Sequence, residues 1–312
     1  MPTNKFAADY NQSKSYGKLA FIGFYTETGC ILSILSIQSA VSYGHVGNSA
    51  AVFPLQRLGF EVWPVNTVQF SNHAGYETCR GPAMAASDIA NVVTGIEEMG
   101  LFSKCQAVLS GYLGSFENGE VIARTVEKIK KANPTALYCC DPVIGDSREG
   151  VYVGEGIVDF IREHLAPKAD ILTPNRFELE RLTGESASSD QALIKSARSL
   201  VEKGAFIVAV TSLQGVTSEE IATMVVTDSS AWRITTPRLA LRAKGTGDVF
   251  AALLLGHVLK GRQVEDALEQ TCSALFHVIK ETSKTDSEEL LLITHQEAFS
   301  IPSHQFLIER LD

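Results

Sequence analysis

A glycine-rich turn that ends in a carboxylate is the part of this sequence richest in chemical meaning. Gly245-Thr246-Gly247-Asp248 runs directly into the apolar segment 249–255, so the turn is predicted to open a buried helix. Backbone N–H groups of such a turn, with the positive end of the helix dipole, can hold an anion. A carboxylate would repel a phosphate there, so we interpret Asp248 as a base that deprotonates a substrate hydroxyl during phosphoryl transfer. The same residues also fit a plain helix N-terminus, because Asp is a favoured cap.

Two further carboxylates follow the apolar segment 136–140, which is predicted to be a buried strand. Asp141 and Asp146 would leave that strand beside the phosphate site, where carboxylates can hold Mg²⁺ through water. The alternative is an ordinary turn, since Asp-Pro and Gly-Asp are common turn dipeptides. The sequence leaves both interpretations open.

Asn175 and Glu178 are three residues apart and would share one face of a helix. Both could then reach a metal ion or its waters. They also match a capping box, with Pro174 restricting the backbone just before the helix. The two roles are compatible.

Two histidines, His45 and His73, lie in polar segments and fit either a base or an exposed side chain. Neither has zinc-ligand spacing to another His or Cys. The segment 44–49 predicts a glycine turn into a helix capped by Asn48. A phosphate-binding loop is the alternative for that segment, although its sequence matches neither the P-loop nor the dinucleotide-binding fingerprint.

Short apolar segments alternate with amphipathic ones along the chain. The predicted strands are 31–37, 62–65, 107–109, 136–140, 171–172 and 206–210. The predicted helices are 49–58, 86–99, 119–131, 156–164, 176–183 and 191–203, followed by the helix that contains Asp248 and a helix at 264–282. A β-hairpin is predicted at 224–226 and 231–235. This alternation predicts an α/β fold, with a mostly parallel central sheet and helices on both faces.

Polar residues follow five of these strands, at 38–39, 110–112, 141–146, 173–178 and 211–212. In an open parallel sheet, ligands bind beyond the carboxyl ends of the strands. The sequence therefore predicts a site along one edge of the sheet.

Composition argues against several classes of partner. The 312 residues carry a net charge of −9, and the lysine-rich segment 128–131 is typical of a solvated helix face, so nucleic acid and membranes are not expected as partners. The six cysteines lack CxxC or zinc-finger spacing, which indicates a reducing, cytoplasmic compartment.

Residues 1–30 are predicted to be an N-terminal extension of unknown role without a signal-peptide pattern, and residues 31–312 are predicted to be a single domain.

The motifs, taken in order, resemble the ribokinase superfamily and, within it, the pyridoxal kinases of vitamin B6 salvage. The resemblance covers nearly all of 31–295 and is carried by segments 39–48, 66–73, 110–115, 141–143, 173–178 and 245–248. The glycine-Asp turn is shared by the superfamily, whereas the Val-Gln-Phe-Ser-Asn-His sequence at 68–73 is more specific to pyridoxal kinases.

The resemblance implies a ribokinase-like three-layer sandwich that phosphorylates the 5′-hydroxyl of pyridoxal with ATP. Asp248 would be the base, and the anion hole for the γ-phosphoryl group would be Gly245, Thr246 and Gly247. Implied substrate contacts are Ser39, Ala74, Tyr112 and Asp248. Implied ATP contacts are Asp141, Thr173, Asn175, Glu178, Thr211, Ser212, Arg238, Leu239 and Thr246, and implied metal ligands are Asp141, Asp146 and Glu178. Mg²⁺ is the implied cofactor, K⁺ a candidate second cation, and a homodimer the implied assembly.

Two positions depart from the family pattern. Ala74 stands where many members have Thr, which removes one substrate hydrogen bond, and Thr211 stands where some bacterial members have Lys. One alternative is a hydroxymethylpyrimidine kinase, which segment 68–73 disfavours. The other is a non-catalytic protein that binds or delivers pyridoxal phosphate, which the intact Asp248 turn disfavours.

Overall fold

The computed structural model describes residues 32–215, 217–302 and 305–312. The predicted extension 1–30 and the first residue of the first predicted strand, Ile31, lie outside those residues. The strands are β1 Ser33–Val41, β2 Glu61–Phe70, β3 Cys105–Ser110, β4 Leu137–Cys140, β5 Gly145–Asp146, β6 Gly150–Val151, β7 Ile171–Leu172, β8 Ile207–Gln214, β9 Glu220–Val226, β10 Ala231–Pro237 and β11 Ile308–Arg310. The α-helices are α1 Asn48–Arg57, α2 Ala86–Glu98, α3 Phe116–Ala132, α4 Ile157–Phe160, α5 Arg176–Thr183, α6 Asp190–Glu202, α7 Thr246–Leu259 and α8 Val264–Ser283.

One sheet runs through the described part in the order β11-β10-β9-β8-β7-β4-β3-β1-β2. Neighbours from β2 across to β8 are parallel, and β9, β10 and β11 continue the sheet in antiparallel fashion. The predicted parallel sheet and late hairpin are therefore confirmed. The short ribbon β5–β6 and the final strand β11 have no counterpart among the predicted elements.

Helices cover both faces of the sheet because consecutive residues of a strand point to opposite sides. On β1, Ile34 packs in the core beneath α1, α7 and α8, whereas Leu35 packs in the core beneath α2 to α6. Every residue of β1 is buried, as expected for a strand covered on both faces. The predicted three-layer α/β sandwich is confirmed.

The helix that follows the glycine-Asp turn, α7, is buried from Val249 to Leu259. A helix that is apolar on all sides belongs inside the core rather than on its surface. Gly256 allows α1 to approach closely, since a Cβ there would lie 2.7 Å from the Leu58 side chain. The carboxylate of Asp248 is thus mounted on one of the most enclosed elements of the fold.

One local prediction is wrong, and one predicted helix is irregular. The residue that caps α1 is Gly47, in the left-handed region at φ 55°, and the Asn48 side chain turns inward to hydrogen-bond Ser36 and Asn66 instead. The predicted helix 156–164 is α-helical only over Ile157–Phe160 and continues as a π turn and a 3₁₀ turn. Pro167 lacks the N–H that a regular α-helix would need at that point.

Candidate active site

A cavity of about 520 Å³ opens at the carboxyl ends of the parallel strands. Its lining includes residues that sequence reasoning placed there, namely Ser39, Ala74, Tyr112, Asp141, Asp146, Thr173, Asn175, Glu178, Thr211, Ser212, Gly245, Thr246, Gly247 and Asp248. Arg238 and Leu239 are not among the lining residues and lie on the connector after β10. The structure therefore brings most of the predicted site residues together in one cavity at this edge of the sheet.

The glycine turn starts α7 in a geometry that only glycine fits. Gly245 is the residue before the helix at φ +88°, and a Cβ on it would lie 1.8 Å from the carbonyl oxygen of His45. In the described structure no side chain caps this helix start, so N–H groups of the first turn remain available to an anion. Asp248 sits in that first turn and faces the cavity.

The carboxyl group of Asp248 has properties suited to a base. Burial raises its pKa to about 6, and hydrogen bonds from the backbone N–H groups of Gly47 and of Asp248 itself limit the rise. A base is most effective when its pKa lies near the working pH. At neutral pH this carboxylate is mostly ionised yet able to take up a proton.

A second group of carboxylates lines the same cavity. Asp141, directly after β4, is buried and accepts a hydrogen bond of 2.9 Å from the Thr173 hydroxyl. Burial raises the pKa of Asp141 well above its usual range, and the negative charges of Glu178 and Asp248 raise it further. Carboxylates that repel one another in this way gain most from a bound cation.

The predicted capping box at the start of α5 is confirmed. The Asn175 side chain accepts a 3.0 Å hydrogen bond from the Glu178 N–H, and Glu178 accepts one of 2.8 Å from the Asn175 N–H. The other oxygen of Glu178 accepts from the backbone N–H of Ile144 at 3.0 Å. Burial raises the pKa of Glu178 to about 7, although these N–H groups act to lower it.

Asp146 adopts the turn that its sequence allowed. Its Oδ1 accepts hydrogen bonds of 2.7 and 2.8 Å from the backbone N–H groups of Arg148 and Glu149. Burial acts to raise its pKa, but those hydrogen bonds prevail and the net effect is a lowered pKa. The side chain also borders the cavity, so a metal role for it stays a prediction.

The donor set fits Mg²⁺ that arrives with phosphates. Within 32–215, 217–302 and 305–312, no group of three or more His, Cys, Asp or Glu side chains is arranged to hold a metal by itself. Mg²⁺ in kinases usually keeps several waters and binds one or two carboxylates plus substrate phosphates. Asp141 and Glu178 provide carboxylates of that kind beside the anion-binding turn.

The opposite end of the cavity is more apolar and lies next to β1 and β2. Val41, Val68 and Phe70 line it together with the backbone segment 73–75. Ser39 lies near the end of β1, and Gly47 packs against its carbonyl so tightly that a Cβ on Gly47 would lie 2.2 Å from the carbonyl oxygen. The surface suits a flat ring that carries a few polar groups.

Two residues at the cavity, Glu149 and Tyr152, carried no sequence signal. Lys244 forms an ion pair of 3.2 Å with Glu149, and both border the cavity, as does Tyr152. His73 also lines it, and burial, followed by the charge of Lys244, lowers its pKa. His45 is not a lining residue, and its Nδ1 lies 3.2 Å from the Ser49 carbonyl.

A three-layer α/β sandwich whose cavity is lined by a carboxylate in the first turn of a helix that begins after a glycine is the architecture of a ribokinase-like small-molecule kinase. A family model described as Phosphomethylpyrimidine kinase matches residues 86–290. A pyridoxal kinase PdxY from Rubrobacter xylanophilus is 48% identical over 283 residues, which are 90% of this chain and 98% of the relative. The chain belongs to the pyridoxal kinase family, and the resemblance found in the sequence is confirmed.

Solved structures agree with this assignment. Pyridoxal kinase from Leishmania donovani in complex with ADP and pyridoxine matches with a TM-score of 0.84 and 30% identity, over 90% of this chain and 99% of that chain. A putative phosphomethylpyrimidine kinase from Bacteroides thetaiotaomicron, in a form with pyridoxal, matches with a TM-score of 0.83 and 25% identity, over 90% of this chain and 100% of that chain.

Among the described residues, no helix has the length and apolar character needed to cross a membrane.

Proposed function

We propose that this protein transfers the γ-phosphoryl group of ATP to the 5′-hydroxyl of pyridoxal and so forms pyridoxal 5′-phosphate in vitamin B6 salvage. The observation that carries the proposal is that Asp248 lines one cavity together with apolar residues of β1 and β2 and with the carboxylates of Asp141 and Glu178. The names of the relatives support it, since one is a pyridoxal kinase and another is a pyridoxal kinase in complex with ADP and pyridoxine.

Binding at the apolar end orients the substrate. Ser39, Tyr112 and the segment 73–75 hold the pyridine ring so that its 5′-hydroxyl faces Asp248. Holding both reactants in this arrangement contributes to the rate before any bond changes. Ala74 contributes no hydrogen bond from its side chain, so we expect ring packing to decide the preference among pyridoxal, pyridoxine and pyridoxamine.

Asp248 accepts the proton of the 5′-hydroxyl as its oxygen attacks the γ-phosphorus. A new oxygen–phosphorus bond forms, the bond from the γ-phosphorus to the bridging oxygen breaks, and ADP leaves. N–H groups of Gly245, Thr246 and Gly247 stabilise the charge on the transferred phosphoryl group.

Asp141 and Glu178 would hold Mg²⁺, which neutralises charge on the ATP phosphates. K⁺ as a second cation is part of the proposal, and measuring the initial rate against K⁺ concentration tests it. We assign Thr211 and Ser212 to the ATP phosphates and the connector with Arg238 and Leu239 to the adenine. A cytoplasmic location and a homodimer remain predictions.

Hydroxymethylpyrimidine kinase is the second candidate function. The description of the matching family model favours it, because that model is named for phosphomethylpyrimidine kinase. The substrate is again a flat heterocycle with a hydroxymethyl group, so the same base and anion-binding turn would serve.

The decisive experiment offers pyridoxal, pyridoxine, pyridoxamine and hydroxymethylpyrimidine separately, with ATP, Mg²⁺ and K⁺, and measures each phosphorylated product by chromatography. We expect pyridoxal 5′-phosphate from the wild-type protein and a loss of about 10²- to 10⁴-fold in Asp248→Asn. Product from hydroxymethylpyrimidine alone would transfer the assignment to the second candidate. Equilibrium binding of pyridoxal phosphate without turnover of any substrate would instead favour a binding or delivery protein.

A further inference from the structure

Glu289 is not a lining residue of the cavity, yet its carboxylate joins two loops that form it. One oxygen accepts a hydrogen bond of 2.9 Å from the backbone N–H of His45, and the other accepts one of 2.6 Å from the Tyr76 hydroxyl. Gly44, at φ +98°, leaves room for this carboxylate, since a Cβ there would lie 2.5 Å from it. A single side chain therefore connects the loop before α1 with the loop after β2.

The loop before α1 bears directly on the catalytic base. The carbonyl of His45 packs on Gly245, where a Cβ would lie 1.8 Å from its oxygen. Two residues further on, the N–H of Gly47 hydrogen-bonds the Asp248 carboxylate and acts to lower its pKa. A shift of this loop would move both the anion-binding turn and the hydrogen bond to the base.

The loop after β2 bears on the substrate end of the cavity. Tyr76 directly follows the lining segment 73–75, and its N–H donates a hydrogen bond of 3.2 Å to the His73 carbonyl. Its ring packs edge to face with Tyr43, 6.3 Å between centroids. Burial raises the pKa of Tyr76, and the hydrogen bond to Glu289 raises it further, so the hydroxyl stays protonated and continues to donate.

Glu289 itself is held by the core beyond α8. The Ser287 hydroxyl donates to its carbonyl at 2.7 Å and accepts from its N–H at 3.2 Å. The next residue, Leu290, is buried, and the N–H of Leu291 donates to the Thr282 hydroxyl at 3.1 Å. The carboxylate is thus presented from a fixed backbone to the two loops.

We propose that Glu289 is a positioning residue of the phosphotransfer site, which acts by clamping the Gly44–Gly47 loop and the Tyr76 loop together. The proposal rests on the proposed pyridoxal kinase function. It adds a specific consequence: loss of the clamp impairs pyridoxal binding and the chemical step more than ATP binding, because the clamped loops border the substrate end and the base and reach the anion-binding turn through Gly245.

The experiment compares wild type with Glu289→Ala and Glu289→Gln, and uses Glu288→Gln as the control because Glu288 is the exposed neighbour. Initial rates of pyridoxal phosphorylation, measured across pH, give kcat, KM for pyridoxal and KM for ATP. Amide hydrogen exchange measures the local opening of residues 43–47 and 71–85. For Glu289→Ala we expect kcat to fall about tenfold to a hundredfold, KM for pyridoxal to rise and KM for ATP to change less than about twofold. Glu289→Gln keeps the side-chain shape and one acceptor oxygen, so it should recover part of the rate.

Two further readouts separate positioning from mere stability. Without the Gly47 N–H on the base, the acid limb of kcat should move to higher pH, and exchange should rise in the two loops alone. Unchanged kinetics in Glu289→Ala, or unchanged exchange in both loops, would overturn the clamp. A wild-type protein that phosphorylates no pyridoxal would contradict the proposed function, and the exchange data would still decide whether Glu289 holds the loops.

Discussion

The raised pKa of Asp248 predicts a pH dependence that an ordinary aspartate would not give. With a pKa of about 6, the ionised fraction of Asp248 is about 0.9 at pH 7 and about 0.1 at pH 5. A carboxyl group at the usual value near 3.8 would still be about 0.9 ionised at pH 5. Protonation removes the base, so kcat/KM for pyridoxal should fall about tenfold between pH 7 and pH 5.

The assay measures kcat/KM for pyridoxal from pH 5 to pH 8 at saturating ATP and Mg²⁺, with the protein shown to be folded at each pH. Saturation with Mg²⁺ matters because Asp141 and Glu178 also have raised pKa values, which a bound cation would lower. Asp248→Asn is the matched variant, and its residual rate should lack the limb near pH 6. A profile that stays level down to pH 5, or a limb that survives in Asp248→Asn, would refute the assignment of the base.

Three further predictions concern stability. His257 is buried, and neither of its ring nitrogens has a hydrogen-bond partner in the described structure. Burial lowers its pKa to about 3. Below about pH 6.5 the unfolded chain therefore binds a proton at His257 that the folded protein does not bind. Urea unfolding of wild type and His257→Leu at both pH values should therefore show that the variant gains about 2 kcal/mol of stability relative to the wild type on going from pH 7 to pH 5. Gly245→Ala should lower the melting temperature more than Gly59→Ala. Both glycines have positive φ, but of the two only Gly245 faces a backbone oxygen, that of His45. Equal decreases in melting temperature would show that the contact with the His45 oxygen is unimportant. Asn48→Ala removes four hydrogen bonds, three of them buried, and should cost about 1 to 3 kcal/mol by the same urea assay, whereas a neutral result would mean that water replaces them.

Much of the sheet could be predicted because its central strands are buried and appear in the sequence as short, mostly apolar segments. The segment 171–172 is predicted with its observed bounds although it has only two residues, since polar residues at both ends delimit it. The strand β11 escaped prediction because it exists through pairing with β10, opposite Trp232 to Ile234, and not through a pattern of its own. Asn48 was assigned to a cap because its preference for helix ends is local, whereas its actual partners lie on neighbouring strands.

For the site, sequence reasoning located the groups that follow strand ends or start a helix, because those positions have local signatures. The Asp248 turn and the Asn175 capping box are of this kind. Tyr152 and Glu289 are not, since each reaches its place through contacts between segments far apart in the chain; Glu289 and His45 are separated by 244 positions. A single sequence contains no local pattern for such contacts.

The burial of α7 on all sides has a consequence for how activity is gained and lost. Asp248, the proposed base, lies in the first turn of a helix whose remaining length is packed between the sheet and the neighbouring helices α1 and α8. A partly folded chain with an open core would not hold Asp248 in place, and local fraying would reach this helix late. During refolding, regained phosphorylation should therefore follow completion of the core, which makes catalysis a direct reporter of global folding.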